Sequence, residues 1–128
     1  MSKYNALANI SVRGLLLAAC LLLANIASAH TGLKESTPAA DSVVKATPSE
    51  LSLVFNGPVR LVKVELLMGD KAVPTGFEPA SEAIASYVIE TPVLSPGSFT
   101  VNWAAIGADG HTVSNSFGFK FDPQSSAP

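Results

Sequence analysis

Apolar residues recur at every second position in several short runs of this chain. Leu51, Leu53 and Phe55 alternate with Ser52 and Val54. Farther on, the even positions Val62, Val64, Leu66 and Met68 are apolar against Lys63 and Glu65. Phe99, Val101, Trp103 and Ala105 are set against Thr100 and Asn102, and Val113, Phe117, Phe119 and Phe121 share one parity opposite Thr112, Ser114, Ser116 and Lys120. A period of two marks strands buried on one face. Turn chemistry separates the runs: Thr37-Pro38, Thr47-Pro48, Asn56-Gly57-Pro58, Gly69-Asp70, Ser95-Pro96-Gly97 and Asp109-Gly110. No long segment shows the helical period. The pattern predicts an all-β fold, a small immunoglobulin-like antiparallel β-sandwich of Greek-key type. Glu78 to Ser86 is the least strand-like stretch and reads as a loop with a helical turn. Trp103, Phe117, Phe119 and Phe121 read as core, and Met68 as a core or edge filler. Glu35, Glu50 and Glu65 read as solvated charges.

The first 29 residues follow a different pattern. Lys3 and Arg13 precede an apolar stretch, Gly14 to Ile26, broken only by Asn25. That stretch is shorter than the roughly 20 residues of a membrane span and suits a signal peptide. Ala27-Ser28-Ala29 supplies the small-x-small pattern cut by signal peptidase. Leu17-Ala18-Ala19-Cys20 also resembles a lipobox. Against that alternative, few apolar residues separate Arg13 from Cys20, and Leu21-Leu22-Leu23 continues the apolar run where a lipoprotein turns polar. The expected organisation is a cleaved signal peptide over 1–29, a domain over 30–122 and a flexible tail over 123–128. The mature chain is expected to be periplasmic, without stable membrane insertion.

Cleavage after Ala29 changes the chemistry of what remains. Loss of Lys3 and Arg13 leaves six basic residues against ten acidic, a net charge of −4. Such a chain lacks the basic stripe of a nucleic-acid surface. The single cysteine, Cys20, leaves with the signal, and Met68 is the one remaining methionine. No disulfide and no soft ligand cluster for Cu(I) survives. His30 becomes the first residue, offering an α-amine and an imidazole together. The other histidine, His111, follows Asp109 and Gly110 in the connection between two predicted strands. Glycine at 110 tolerates a positive φ that can turn both neighbouring side chains toward one point. The chain start can lie beside the same rim. Two imidazoles, an amine and a carboxylate form a nitrogen and oxygen set suited to Cu(II). Taken singly these features are weak: Asp-Gly is a common hairpin pair, and a lone loop histidine is usually solvated.

The mature chain resembles the CopC family of periplasmic copper-resistance proteins, also called CopC/PcoC, over essentially residues 30–122. The resemblance rests on the histidine start, on Ser36-Thr37-Pro38-Ala39-Ala40-Asp41, on Leu51-Ser52-Leu53-Val54-Phe55 with Pro58-Val59, on Leu94 to Trp103, and on Ala108-Asp109-Gly110-His111-Thr112-Val113-Ser114-Asn115-Ser116-Phe117. It implies a small β-sandwich binding one Cu(II) through His30, Asp109 and His111. Two departures stand out. Some members carry a methionine-rich Cu(I) site in a central loop, but residues 69–86 contain no methionine or histidine, so no such site is expected. The usual glycine of the family's S-x-P-A-D-G stretch is Ser42 here. Some relatives are fused to a CopD-type membrane domain. In this protein a CopD-like inner-membrane partner is expected to be a separate polypeptide.

Three function classes follow. The first is a Cu(II) carrier, chaperone or sequestering protein in copper resistance and homeostasis. The second is a copper oxidoreductase, because an amine–imidazole chelate also forms the histidine brace of lytic polysaccharide monooxygenases. The third is a metal-free immunoglobulin-like interaction module. Small size, the absence of an aromatic binding face and a carboxylate in the ligand set weigh against the second. No Ser-His-Asp set, phosphate-binding glycine loop or carboxylate pair suggests a hydrolase. The expectation is a binding protein, not an enzyme.

Overall fold

The computed structural model describes residues 32–126, and every regular element among them is a strand. In chain order these are β1 (Leu33–Thr37), β2 (Val43–Val44), β3 (Glu50–Met68), β4 (Lys71–Val73), β5 (Ile84–Glu90), β6 (Gly97–Ile106) and β7 (Thr112–Phe121). The all-β expectation holds. No helix among the described residues is long and apolar enough to cross a membrane.

The organising element is β3, which serves two ladders in turn. Its first half lies between β1 and β5, from Leu33↔Phe55 to Thr37↔Ser52 on one side and from Glu50↔Glu90 to Val54↔Ser86 on the other. Its second half lies between β6 and the short β4. Asn56-Gly57-Pro58, expected as a turn, lies inside this strand. It falls between Phe55, the last partner of β1, and Arg60, the first partner of β6. Proline has no N–H to donate, and here the strand is leaving one ladder for the other. The Tyr87 hydroxyl ties the crossover by donating to the Val59 carbonyl at 2.6 Å and accepting from the Leu61 N–H at 3.3 Å.

Inward-facing residues of both ladders form one core. Leu51, Leu53 and Phe55 come from the first ladder, with Leu61, Leu66, Val101, Trp103 and Phe119 from the second. Phe55 meets Trp103 edge to face at 5.2 Å, joining the two layers, and Phe99 stacks on Phe119 at 5.2 Å. No polar or charged residue among those described is buried. The expected parity over 62–68 is corrected at its start. Leu61 pairs with Ala105 and Lys63 with Ala104, leaving Val62 as an extra residue in a bulge. Leu61 is thereby fully buried and Val62 only half-buried. Phe117 and Val113 are likewise packed against the core rather than within it.

Two further expectations change. The sheet is not purely antiparallel, because β2 pairs parallel with β7 through Val43↔Lys120 and Val44↔Phe121. The stretch 78–86 contains no helical turn, and β5 begins inside it at Ile84. Ser42 in place of the family's glycine meets no backbone obstacle, because the positive φ of that turn, 62°, belongs to Asp41. After β7, Asp122 accepts hydrogen bonds from the Gln124 N–H at its side chain and the Ser125 N–H at its carbonyl.

Candidate functional site

The connection between β6 and β7 is a five-residue loop, 107–111, beyond the final ladder pair Ile106↔Thr112. Two backbone hydrogen bonds close it. The Gly107 N–H donates to the His111 carbonyl, and the Gly110 N–H donates to the Gly107 carbonyl, both at 3.0 Å. Gly110 has φ 84°, a region that L side chains rarely adopt. A Cβ there would meet no atom within 4 Å, so backbone conformation alone selects glycine.

This conformation brings Asp109 and His111 together. Asp109 Oδ1 accepts the His111 backbone N–H at 3.0 Å, while Oδ2 lies 2.9 Å from His111 Nδ1. Both side chains face solvent, with relative exposures of 64% and 84%. Hydrogen bonding from the His111 ring, then from the His111 backbone N–H, holds the Asp109 carboxyl below its ordinary value of 3.8. Asp109 therefore remains an anionic acceptor at neutral pH.

The 2.9 Å contact is that of a hydrogen bond; a carboxylate oxygen and an imidazole nitrogen are also donor types that would suit Cu(II). Among the described residues, no group of three or more His, Cys, Asp or Glu gathers to complete a site. Asp109 and His111 are the two sequence-predicted ligands that the structure brings together. The third expected ligand, His30, lies outside the described residues, as do Cys20 and the Ala27–Ala29 cleavage motif.

The first described residues meet β6 and β7 in a cleft. Gly32 and Leu33, at the start of β1, line a cleft of about 310 Å³ with Trp103, Val113, Asn115 and Phe117. Val113 is two residues beyond His111 along β7. The sequence signal was the strand register, since Trp103 pairs with Asn115, but the proximity of β1 depends on the curl of β3.

Comparison with known proteins agrees with this architecture. Residues 33–122 match the CopC domain family. Copper resistance protein C of Pseudomonas syringae pv. tomato is 32% identical over 119 residues, covering 82% of this chain and 90% of that protein. Copper resistance protein C of Escherichia coli is 31% identical over 104 residues, covering 73% and 82% respectively. Among solved structures, CopC from Methylosinus trichosporium OB3b superposes with a TM-score of 0.65 at 26% identity, covering 77% of this chain and all of that one. PcoC, a methionine-rich copper resistance protein from Escherichia coli, gives 0.61 at 28% identity over 73% of this chain and all of that one. With the domain match spanning most of the sandwich, and Asp-Gly-His held in its β6–β7 loop, this chain belongs to the CopC family.

Proposed function

We propose that this protein is a periplasmic Cu(II)-binding protein that carries or sequesters copper in copper resistance and homeostasis. The observation that carries this reading is the convergence of Asp109 Oδ2 and His111 Nδ1 at 2.9 Å on an exposed loop. Relatives named as copper resistance proteins support copper as the cargo. In this reading His30, exposed by cleavage after Ala29, adds its α-amine and imidazole.

Each residue then has a defined role. His30 chelates through amine and imidazole, His111 contributes its imidazole, and Asp109 adds an anionic oxygen while orienting the His111 ring. Nitrogen and oxygen donors favour Cu(II) over Cu(I). PcoC is described as methionine-rich, whereas in this chain Met68 is half-buried with its Sδ over Gly97. One Cu(II) per chain and delivery to or from a separate CopD-like membrane protein complete the proposal. A role as carrier rather than oxidoreductase is supported by the Asp109 carboxylate, which takes a coordination position that oxygen activation needs open.

The decisive experiment compares the free-amine protein with its N-terminally acetylated form. Cu(II) affinity is measured against a competing chelator at fixed pH. The expected result is a large loss of affinity and an altered EPR spectrum on acetylation, with the thermal midpoint of the copper-free form unchanged. Equal affinity in the two forms refutes an N-terminal ligand pair.

A further inference from the structure

Strands at sheet edges present unpaired backbone groups, and β-proteins generally blunt them by shortness, bulges, lysine or proline. This molecule has four edge strands among its described residues. Strand β2 has two residues, and β4 has three, including Lys71. Strand β1 carries a register break at Lys34, beside the exposed Glu35. Strand β5 is the longest of the four; its ladder with β3 breaks register between Ser86 and Ile84, and Gly76 bonds its outer edge only at Glu90. Its seven residues, Ile84-Ala85-Ser86-Tyr87-Val88-Ile89-Glu90, contain no lysine, proline or glycine, and they pair with β3 alone.

Hydrogen-bond direction along β5 can be read from its end. In an antiparallel ladder, the N–H and C=O of one residue point to the same side, alternating along the strand. The Thr91 N–H donates to the Ser49 carbonyl, toward β3, whereas the Glu90 carbonyl accepts from the Gly76 N–H on the far side. Ile89 and Tyr87 are thus directed at β3, and Val88, Ser86 and Ile84 are directed away from it. The side chains of those three lie on the outer face. Ile84 is 47% exposed and Val88 63%, unusually open for large apolar residues in this chain.

We infer that the β5 edge is a self-association surface, on which a second copy of this chain pairs antiparallel about a two-fold axis at Ser86. The occupant is a second copy because the segment is complementary to itself. Rotation about Ser86 sets Ile84 against Val88 of the second copy, and Val88 against Ile84, joining apolar side chains on the same face. Ser86 exchanges both of its backbone bonds with Ser86. Glu90, the only charge in the strand, lies beyond the paired segment, and its carbonyl is already bonded to Gly76. Such an isologous contact closes after two copies. It is small, so the dimer is weak. At each end Glu82 comes level with Glu90 of the second copy, and salt screens that repulsion. The surface contains neither Asp109 nor His111, so association does not depend on the copper reading.

The test is sedimentation velocity on the processed chain from micromolar to millimolar concentration, with and without copper, alongside amide hydrogen exchange. The expected result is a concentration-dependent monomer–dimer equilibrium that is unchanged by copper and strengthened by salt. The Ser86 and Val88 amides should gain protection as the dimer forms. Val88→Lys should weaken association at least tenfold without lowering the thermal midpoint. Val93→Lys, at an exposed valine outside the strand, should leave it unchanged. A monomer throughout the range overturns the inference. So does a dimer that needs copper, weakens with salt, or survives Val88→Lys with Ser86 and Val88 exchanging freely.

Discussion

Among the described residues, fifteen apolar side chains shut away from water hold the sandwich together, whereas the loop at 107–111 is held by its own polar groups, with Asp109 and His111 largely exposed. In the interior, the burial of Leu51, Leu53, Leu61 and Leu66 depends on residues far apart in the chain. In the loop, two backbone bonds and two bonds from Asp109 link residues at most four apart. Stability and chemistry are therefore separable here. The core sets where β6 and β7 end, and the loop sets how Asp109 meets His111.

The sharpest way to break this separation is a core truncation. Leu53→Ala removes a fully buried side chain and should cost about 2–5 kcal/mol of stability, read as a lower thermal midpoint. Cu(II) affinity per folded molecule should be retained. The converse substitution, His111→Ala, should reduce Cu(II) affinity about 100-fold or more, equivalent to about 2.7 kcal/mol, with little change in unfolding. Asp109→Asn should cost less, because the carboxylate is one of several donors. Chelator competition measures both. If Leu53→Ala and His111→Ala each moved both quantities together, site and core would be one cooperative unit.

A smaller effect is expected at Gly110. Gly110→Ala has space for its methyl group but strains a backbone at φ 84°, costing about 1 kcal/mol or somewhat more. That strain should appear mainly in the loop, as loss of the Asp109–His111 contact in NMR and a modest drop in copper affinity.

The pH dependence is the finest test. The Asp109 carboxyl is held below its ordinary 3.8 by His111. A lowered value means that the contact is fully present above the unfolded value and is lost only as pH falls through the folded one. Between pH 7.5 and 5, Asp109 therefore stays charged and adds no slope. In the proposed site copper displaces protons from its nitrogen ligands on binding. Apparent Cu(II) affinity should therefore weaken as pH falls across this range. Affinity that stayed flat would contradict nitrogen ligation.

Much of this molecule is legible in residue order because the relevant physics is local. Period-two patterning placed four of the longer strand segments, since a strand with one buried face must alternate. Asp109-Gly110-His111 announced a hairpin loop that joins a carboxylate to an imidazole, because glycine between two polar residues permits the bend that joins them. Where reading failed, a partner strand intervened. Asn56-Gly57-Pro58 has every mark of a turn, yet β3 continues through it because successive neighbours take up its two halves. The strand β5 was not among the predicted runs, because an edge strand exposes Ile84 and Val88 and so loses the clean alternation.

Residue order by itself determined the strand-rich character, the turn positions at Gly69-Asp70 and Asp109-Gly110, and the adjacency of a carboxylate and an imidazole. Only the tertiary structure decided that Leu61 rather than Val62 enters the core. The bulge exists relative to Ala104 and Ala105 on β6, and no window of β3 alone contains that information. Tertiary structure likewise brought Gly32 to the cleft beside Val113, paired β2 parallel with β7, and left β5 as the longest edge strand. Side-chain period follows from the geometry of one strand, but register, curl and edge exposure follow from which strands meet. Those meetings join residues tens of positions apart.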